Sequence, residues 1–345
     1  MATPDSPRVV LKRWIRGEAL SRPLLMPIIF SLGSRMQSMK ICDFLANPTK
    51  ICQSLQQIRA TLKVDGLACY FDSYLEAEAL GCTREWGPDG SCMLACPPFS
   101  GVDDLRQKSG PAEALADKGN FRIVCNVLQR LKVMLKDEPA LMVNVTGPLS
   151  LAAQLSGYCD RGQGEARAVS WEMVEFASEV IFAVASKYLE AGADVIVITE
   201  NMSPELPAEA IEQWALLLAP VLNSIHFYEA LPILLLNESA RTKEQLALTL
   251  GRTWEGIWRL VLGEDPGCWA MWRAYGASPV LGLPCRVFNQ DLEPNRWVGS
   301  LREFCDNHKP AIVTSDGDIP AATDVKKLAT MLRGLGQILS AGTPV

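Results

Sequence analysis

The sequence predicts an α/β fold, a single (β/α)8 barrel of TIM type. Short apolar runs rich in β-branched residues alternate with long helical patterns, and most of these runs end in polar side chains. Hydrophobic residues fill 48% of the 345 positions and charged residues 21%, a balance that allows a large buried core. Barrels of this kind reach such lengths without dividing, so 1–345 reads as one domain, with the first ~20 residues as an extension.

The strand candidates, in order, are LLMPIIFSLG (24–33), GLACYFDSY (66–74), LMVNVTGP (141–148), ADVIVITEN (193–201), PILLLNES (232–239), SPVLGLPCRVFN (278–289) and PAIVTSDGD (310–318). An eighth is expected in the Trp-rich stretch 254–272, where period alone does not separate strand from helix. Between them, NPTKICQSLQQIRATLK reads as a helix with Pro48 at its start, and MVEFASEVIFAVASKYLEAGA as one that closes on Gly192. Segment 82–120 mixes Gly, Pro and charge without clear strand period. It reads as an extended βα excursion over one face of the barrel.

Composition excludes several functions. The formal charge is −6, and no run of Lys and Arg interleaves with aromatics, so nucleic acid is not an expected partner. No stretch of about 20 apolar residues and no apolar leader followed by a small-residue cleavage site occurs, which points to a cytoplasmic protein with no membrane partner. Eleven cysteines are scattered singly and read as reduced, buried thiols. With only two histidines, His226 and His308, there is little material for a His-rich metal site or a Ser-His-Asp triad. No Gly-rich nucleotide loop is present, so neither a cofactor nor a metal is expected.

In such a barrel the strand C-terminal ends share one rim, where function-bearing side chains gather. The polar residues ending the runs are Ser31 and Arg35, Asp72, Asn144 and Thr146, Glu200 and Asn201, Asn237 to Ser239, Asn289 and Asp291, and Asp316 and Asp318. Any one of them could simply cap a helix or start a turn. Their recurrence at nearly every strand is what suggests a site.

Four stretches, DGLACYFDSYLEAEALG (65–81), VTGPLSLAAQLSG (145–157), AGADVIVITEN (191–201) and SDGDIPAATDVKKL (315–328), resemble the uroporphyrinogen decarboxylase superfamily. That superfamily includes the decarboxylase of haem synthesis and the corrinoid:coenzyme M methyltransferases. The resemblance implies a catalytic role for Asp72, whose family counterpart stabilises positive charge on a pyrrole ring while an acetate side chain loses carbon dioxide. It also places Arg35 where the family has two arginines that grip substrate carboxylates. The family's tyrosine falls near Gln154, its serine on Asn201 and its closing histidine on Gly317 and Asp318. The methyltransferases' zinc-binding His-x-Cys pair falls on Asn237 and Ser239, and their third ligand within 315–318, so the expected zinc ligands are absent.

Three readings follow. The first is a cofactor-independent, decarboxylase-type lyase acting on a carboxylate-bearing small molecule that is not uroporphyrinogen. In it Asp72 and Arg35 are catalytic, while Gln154, Glu200, Asn201, Asn237, Glu238, Arg286, Asp316 and Asp318 bind substrate, with Arg35 or Arg286 holding a carboxylate. The second is a methyltransferase of the corrinoid-linked branch. The third is a ligand-binding barrel without the ancestral reaction. A homodimer is expected from the resemblance, with Trp254, Trp258, Trp269, Trp272 and Trp297 as candidate interface or core residues.

Overall fold

The structure is a computed structural model. It describes residues 6–87, 91–94, 99, 101–115, 118–136, 138–157, 169–200, 208–236, 260–262, 280–288, 299, 301–303, 305 and 310–340. Its strands are β1 (Leu24–Leu25), β2 (Gly66–Tyr70), β3 (Arg84–Trp86), β4 (Cys92–Leu94), β5 (Ala140–Thr146), β6 (Val195–Glu200), β7 (Leu231–Leu236), β8 (Leu260–Leu262), β9 (Val280–Leu283) and β10 (Ile312–Ser315).

Eight of these strands are parallel and follow chain order around the barrel. They form two hydrogen-bonded arcs, β9-β10-β1 and β2-β5-β6-β7-β8. Every residue of β2, β5 and β6 is buried, as expected for parallel strands covered on both faces. The eighth strand expected within 254–272 is β8. The first run is shorter than its apolar stretch suggests: β1 pairs with β10 over Leu24 and Leu25, and beyond them the Ile28 N–H goes to the Ser315 hydroxyl at 2.9 Å rather than to a ladder carbonyl.

Helix boundaries follow local chemistry. Asn47 caps the helix Pro48–Leu62 by accepting the Lys50 N–H at 3.1 Å, with Pro48 at the first helical position. Ser170 caps Trp171–Ala191 by accepting from Met173 N, and Gly192 ends that helix at φ 105°, a conformation glycine adopts without strain. Segment 82–120 is not free of strand: β3 and β4 pair antiparallel, Trp86 opposite Cys92 and Arg84 opposite Leu94. The hairpin escapes a periodicity search because each strand has only three residues. Helices Val102–Ser109 and Ala112–Leu115 follow it. Among the described residues, no helix is long and apolar enough to cross a membrane.

Two buried aspartates tie the N-terminal rim. Asp65 gives its backbone N–H to the Leu25 carbonyl at 2.8 Å and accepts the Leu25 N–H on its carboxylate at 2.8 Å, so it bridges the seam between β1 and β2. Arg22 holds the same carboxylate with two nitrogens, at 2.7 and 2.8 Å. Asp194 accepts the Leu141 N–H at 2.9 Å and pairs with Arg8 of the helix Pro7–Ile15 at 2.8 Å. Burial raises the Asp194 carboxyl above its ordinary range, against the pull of Arg8.

The Arg8 and Asp194 side chains are only 8% and 3% exposed, so truncating the arginine strands a buried charge. Arg8→Met is expected to lower the unfolding free energy by about 3 kcal/mol in urea titration. Arg22→Met, whose arginine is 44% exposed, is expected to cost clearly less.

Candidate active site

Asp72 stands just past the end of β2, and neighbouring elements hold its backbone in place. Asn144 of β5 donates its amide to the Asp72 carbonyl at 3.4 Å and itself accepts from Thr199 of β6. The next carbonyl, that of Ser73, accepts from Thr146 Oγ1 at 3.1 Å and from Gln154 Nε2 at 2.9 Å. Two strands, β5 and β6, and the helix Pro148–Leu155 thereby fix where Asp72 sits. Its side chain accepts the Tyr74 N–H on Oδ1 at 3.1 Å, a local turn contact, and the Arg84 guanidinium on Oδ2 at 2.9 Å. Both charged side chains are nearly buried, Arg84 at 4% and Asp72 at 6% exposure.

The hairpin brings Arg84 there. In a strand, alternate residues share a face, so Arg84, Trp86, Cys92 and Leu94 lie together and Glu85 and Met93 lie opposite. Arg84, Trp86 and Cys92 join Ser31, Phe71, Asp72, Tyr74 and Asp318 around a cleft of about 260 Å³. The Arg84 guanidinium lies 5.5 Å from the Trp86 ring centre and 6.0 Å from that of Tyr74, within cation–π range. Burial pushes the Cys92 thiol up to about 11 although Arg84 adjoins it, so the thiol stays protonated at neutral pH.

The other acids at this rim bind backbone N–H groups of neighbouring units. Glu200, fully buried, accepts from Leu149 N at 3.2 Å, Ser150 N at 2.8 Å and Trp214 Nε1 at 3.1 Å, so it anchors the start of the helix Pro148–Leu155. Only glycine fits at 147, because a Cβ there would lie 2.1 Å from the Glu200 carboxyl carbon. Glu76 accepts the Thr146 N–H at 3.1 Å and its hydroxyl at 2.6 Å. Asp318 accepts from Phe30 N at 2.8 Å, Ser31 N at 2.9 Å and the Ser31 hydroxyl, and Asp316 accepts from Cys285 N at 2.7 Å. Burial raises Glu76 and Glu200 to about 7 and Asp318 to about 6, each against the hydrogen bonds that favour the anion.

Of the residues singled out from sequence, Asp72 and Asp318 line the cleft. Arg35 is exposed and donates to the Ala322 carbonyl at 2.6 Å, away from Asp72. Gln154 is 2% exposed; its Nε2 holds Ser73, while its Oε1 has no hydrogen-bond partner among the described residues. Glu200 and Asp316 are engaged as above. Asn201, Asn237 and Glu238 lie outside the described residues, as does the side chain of Arg286. Sequence reasoning missed Arg84, Glu76 and Cys92. The clue available was the alternation of Arg84 and Trp86 close after Asp72.

Glu76 makes stability depend on pH. Its folded-state value of about 7 lies above the ordinary 4.5, so the folded chain binds the extra proton between those limits. Its contribution to stability is therefore present below about 4.5, is lost as pH rises to about 7, and is level above that. Glu76→Gln preserves the contacts, because the Thr146 hydroxyl can accept from the amide while still donating to Ser73. Urea titrations across pH 4.5–7 are expected to show a shallower decline for Glu76→Gln than for the unaltered chain.

Comparison with known proteins bears on the family and the fold. The family described as Uroporphyrinogen decarboxylase (URO-D) matches residues 7–238, more than half of the chain. No curated protein sequence matches. Among solved structures, a methyltransferase from Methanosarcina mazei superposes with a TM-score of 0.70 at 14% identity, covering 95% of this chain and 98% of that one. The TTHB071 protein from Thermus thermophilus fits less well, with a TM-score of 0.39 at 15% identity over 62% of this chain and 82% of that one. A 2,3-dimethylmalate lyase of the PEP mutase/isocitrate lyase superfamily gives 0.41 at 8% identity, covering 97% and 85%. The chain is a member of the uroporphyrinogen decarboxylase family, built on the (β/α)8 barrel.

Proposed function

We propose that the chain is a decarboxylase-type lyase that acts, without a cofactor, on a carboxylate-bearing small molecule other than uroporphyrinogen. The observation that carries this reading is the placement of Asp72, a nearly buried carboxylate at a strand end whose backbone is held by three neighbouring elements and whose side chain faces the cleft. Among the described residues lining the cleft of about 260 Å³, Arg84 is the one cation, which favours a small substrate over a tetrapyrrole with eight carboxylates, each needing its own cation.

In the proposed step, the bond between the substrate's carboxylate carbon and its neighbour breaks and carbon dioxide leaves. A proton taken up by the adjoining ring makes it cationic; the electron pair passes into that ring, a second proton adds to the carbon, and the ring proton is released. Asp72 stabilises the positive charge that accepts those electrons. Asp318 lines the same cleft, and its carboxyl, raised to about 6, keeps a protonated fraction near neutral pH for delivery to the carbon.

One observation favours a second reading, methyl transfer: the shape shared with the Methanosarcina mazei methyltransferase. The zinc ion used by that branch does not suit the donors here. Asn237, Ser239 and the run Ser315-Asp316-Gly317-Asp318 stand at the ligand positions. Among the described residues, no three His, Cys, Asp or Glu converge as a metal would need.

The test is carbon dioxide release from a panel of heterocyclic acetic acids, run beside methyl transfer from a methylated corrinoid to a thiol. Release is expected, with Asp72→Asn lowering kcat/KM by about 100-fold or more. Asp318→Asn is expected to flatten the decline in rate above about pH 6. Methyl transfer without release, or full activity in Asp72→Asn, would overturn the lyase assignment.

A further inference from the structure

Arginines elsewhere in this molecule show what a satisfied guanidinium looks like. Arg16 meets Glu229 side-on, Nε at 3.0 Å from one oxygen and Nη2 at 2.6 Å from the other. Arg22 meets Asp65 end-on, through Nη1 and Nη2. Arg84 uses neither pattern. Its Nη1 donates to Asp72, but Nε and Nη2, the two nitrogens of the side-on edge, are buried and make no hydrogen bond among the described residues. Glu78 lies near that edge, with Oε2 3.0 Å from Nη2 but outside hydrogen-bonding geometry. The Cys92 thiol adjoins the guanidinium and is at best a weak acceptor.

Burying a charged donor without an acceptor is costly, and native proteins rarely leave one so. The unfilled edge belongs to a side chain that is 4% exposed, stacked near Tyr74 and Trp86 and lining the cleft that holds Asp72. A planar carboxylate is the acceptor whose two oxygens match the spacing of Nε and Nη2.

We propose that the Nε and Nη2 edge of Arg84 is the subsite that grips the substrate's carboxylate, a bidentate contact made by the β3 hairpin. The proposal rests on the reading of the cleft as a site for carboxylate substrates, and it assigns the grip to Arg84 in place of Arg35 or Arg286. A carboxylate seated there lies beside the Asp72 carboxylate, since one guanidinium contacts both. Glu78, with its side chain 37% exposed, is the displaceable anion: as ligand arrives it turns to solvent, where the Asn120 amide, now 3.4 Å from its Oε2, can follow it. Tyr74 and Trp86 flank the guanidinium and favour a flat ring attached to the carboxylate.

The test is binding, separate from turnover. Calorimetric titration of the full chain uses pyrrole-2-carboxylate and benzoate as probes, with benzamide as the uncharged isostere. Saturable binding of the carboxylates and none of benzamide is expected. Arg84→Lys keeps the charge but loses the fork, and is expected to weaken the carboxylates by about 10- to 100-fold. Glu78→Gln removes the competing anion and is expected to tighten them by about threefold or more; this variant remains informative even if Arg84→Lys folds poorly. Absence of carboxylate binding to the unaltered chain, equal binding of benzamide, unchanged affinity in Arg84→Lys, or weaker affinity in Glu78→Gln would each overturn the assignment. Carboxylate binding without carbon dioxide release would instead leave the grip standing and remove the lyase reaction.

Discussion

Parallel strands leave backbone N–H groups unpaired where each ladder ends, and this barrel meets that constraint with carboxylates, most of them buried. At the N-terminal rim, Asp65 takes the Leu25 N–H and Asp194 the Leu141 N–H. At the opposite rim, Glu76 takes the Thr146 N–H, Glu200 those of Leu149 and Ser150, Asp316 that of Cys285, and Asp318 those of Phe30 and Ser31. Each contact joins one βα unit to another, so the acids act as staples around the cylinder. An anion that accepts several N–H groups is stabilised by them, while burial works against the charge. The two effects oppose each other at Glu76, Glu200 and Asp318, and burial prevails: the first two are left near 7 and Asp318 near 6.

Asp72 is set apart by its hydrogen-bond partners. Its Oδ1 accepts an N–H from only two residues away, a contact internal to its own turn, and its Oδ2 faces a guanidinium carried by the β3 and β4 hairpin. The neighbouring units bind its main chain instead: Asn144 reaches the Asp72 carbonyl, and Thr146 and Gln154 the Ser73 carbonyl. A carboxylate placed rigidly by its backbone and left out of the stapling is what a charge-stabilising group requires, since preorganised charge needs no rearrangement when the reaction occurs.

The fold was legible in the sequence because its signals are local. Seven β-branched runs fall on strands, Pro48 and Gly192 bound their helices, and the strand expected among the tryptophans is Leu260–Leu262. The site was legible only as a set of strand-end acids. Sequence reading put Asp72, Glu200, Asp316 and Asp318 into one class, because a carboxylate that binds N–H groups of a neighbouring unit and one that faces a guanidinium look alike until their hydrogen-bond partners are known. Glu76 escaped it because it sits in the helix Leu75–Ala79 rather than at a strand end, and reaches Thr146 across 70 residues of chain. Arg84 escaped because a three-residue strand gives too few alternations to declare itself.

The hairpin changes how substitution in this family can be read. The first βα loop supplies one arginine, Arg35, and its guanidinium is engaged by the carbonyl of Ala322 rather than turned to the cleft. Among the described residues lining the cleft, positive charge comes from the excursion after β2, where Arg84 lies between two rings and two carboxylates. A cation's position relative to Asp72 matters more than the loop that delivers it, because both Coulomb attraction and bidentate geometry depend on where the guanidinium ends up. Under the proposal that Arg84 grips the substrate, a guanidinium beside two aromatic rings in the described cleft favours a ligand with one carboxylate on a flat ring over one with eight.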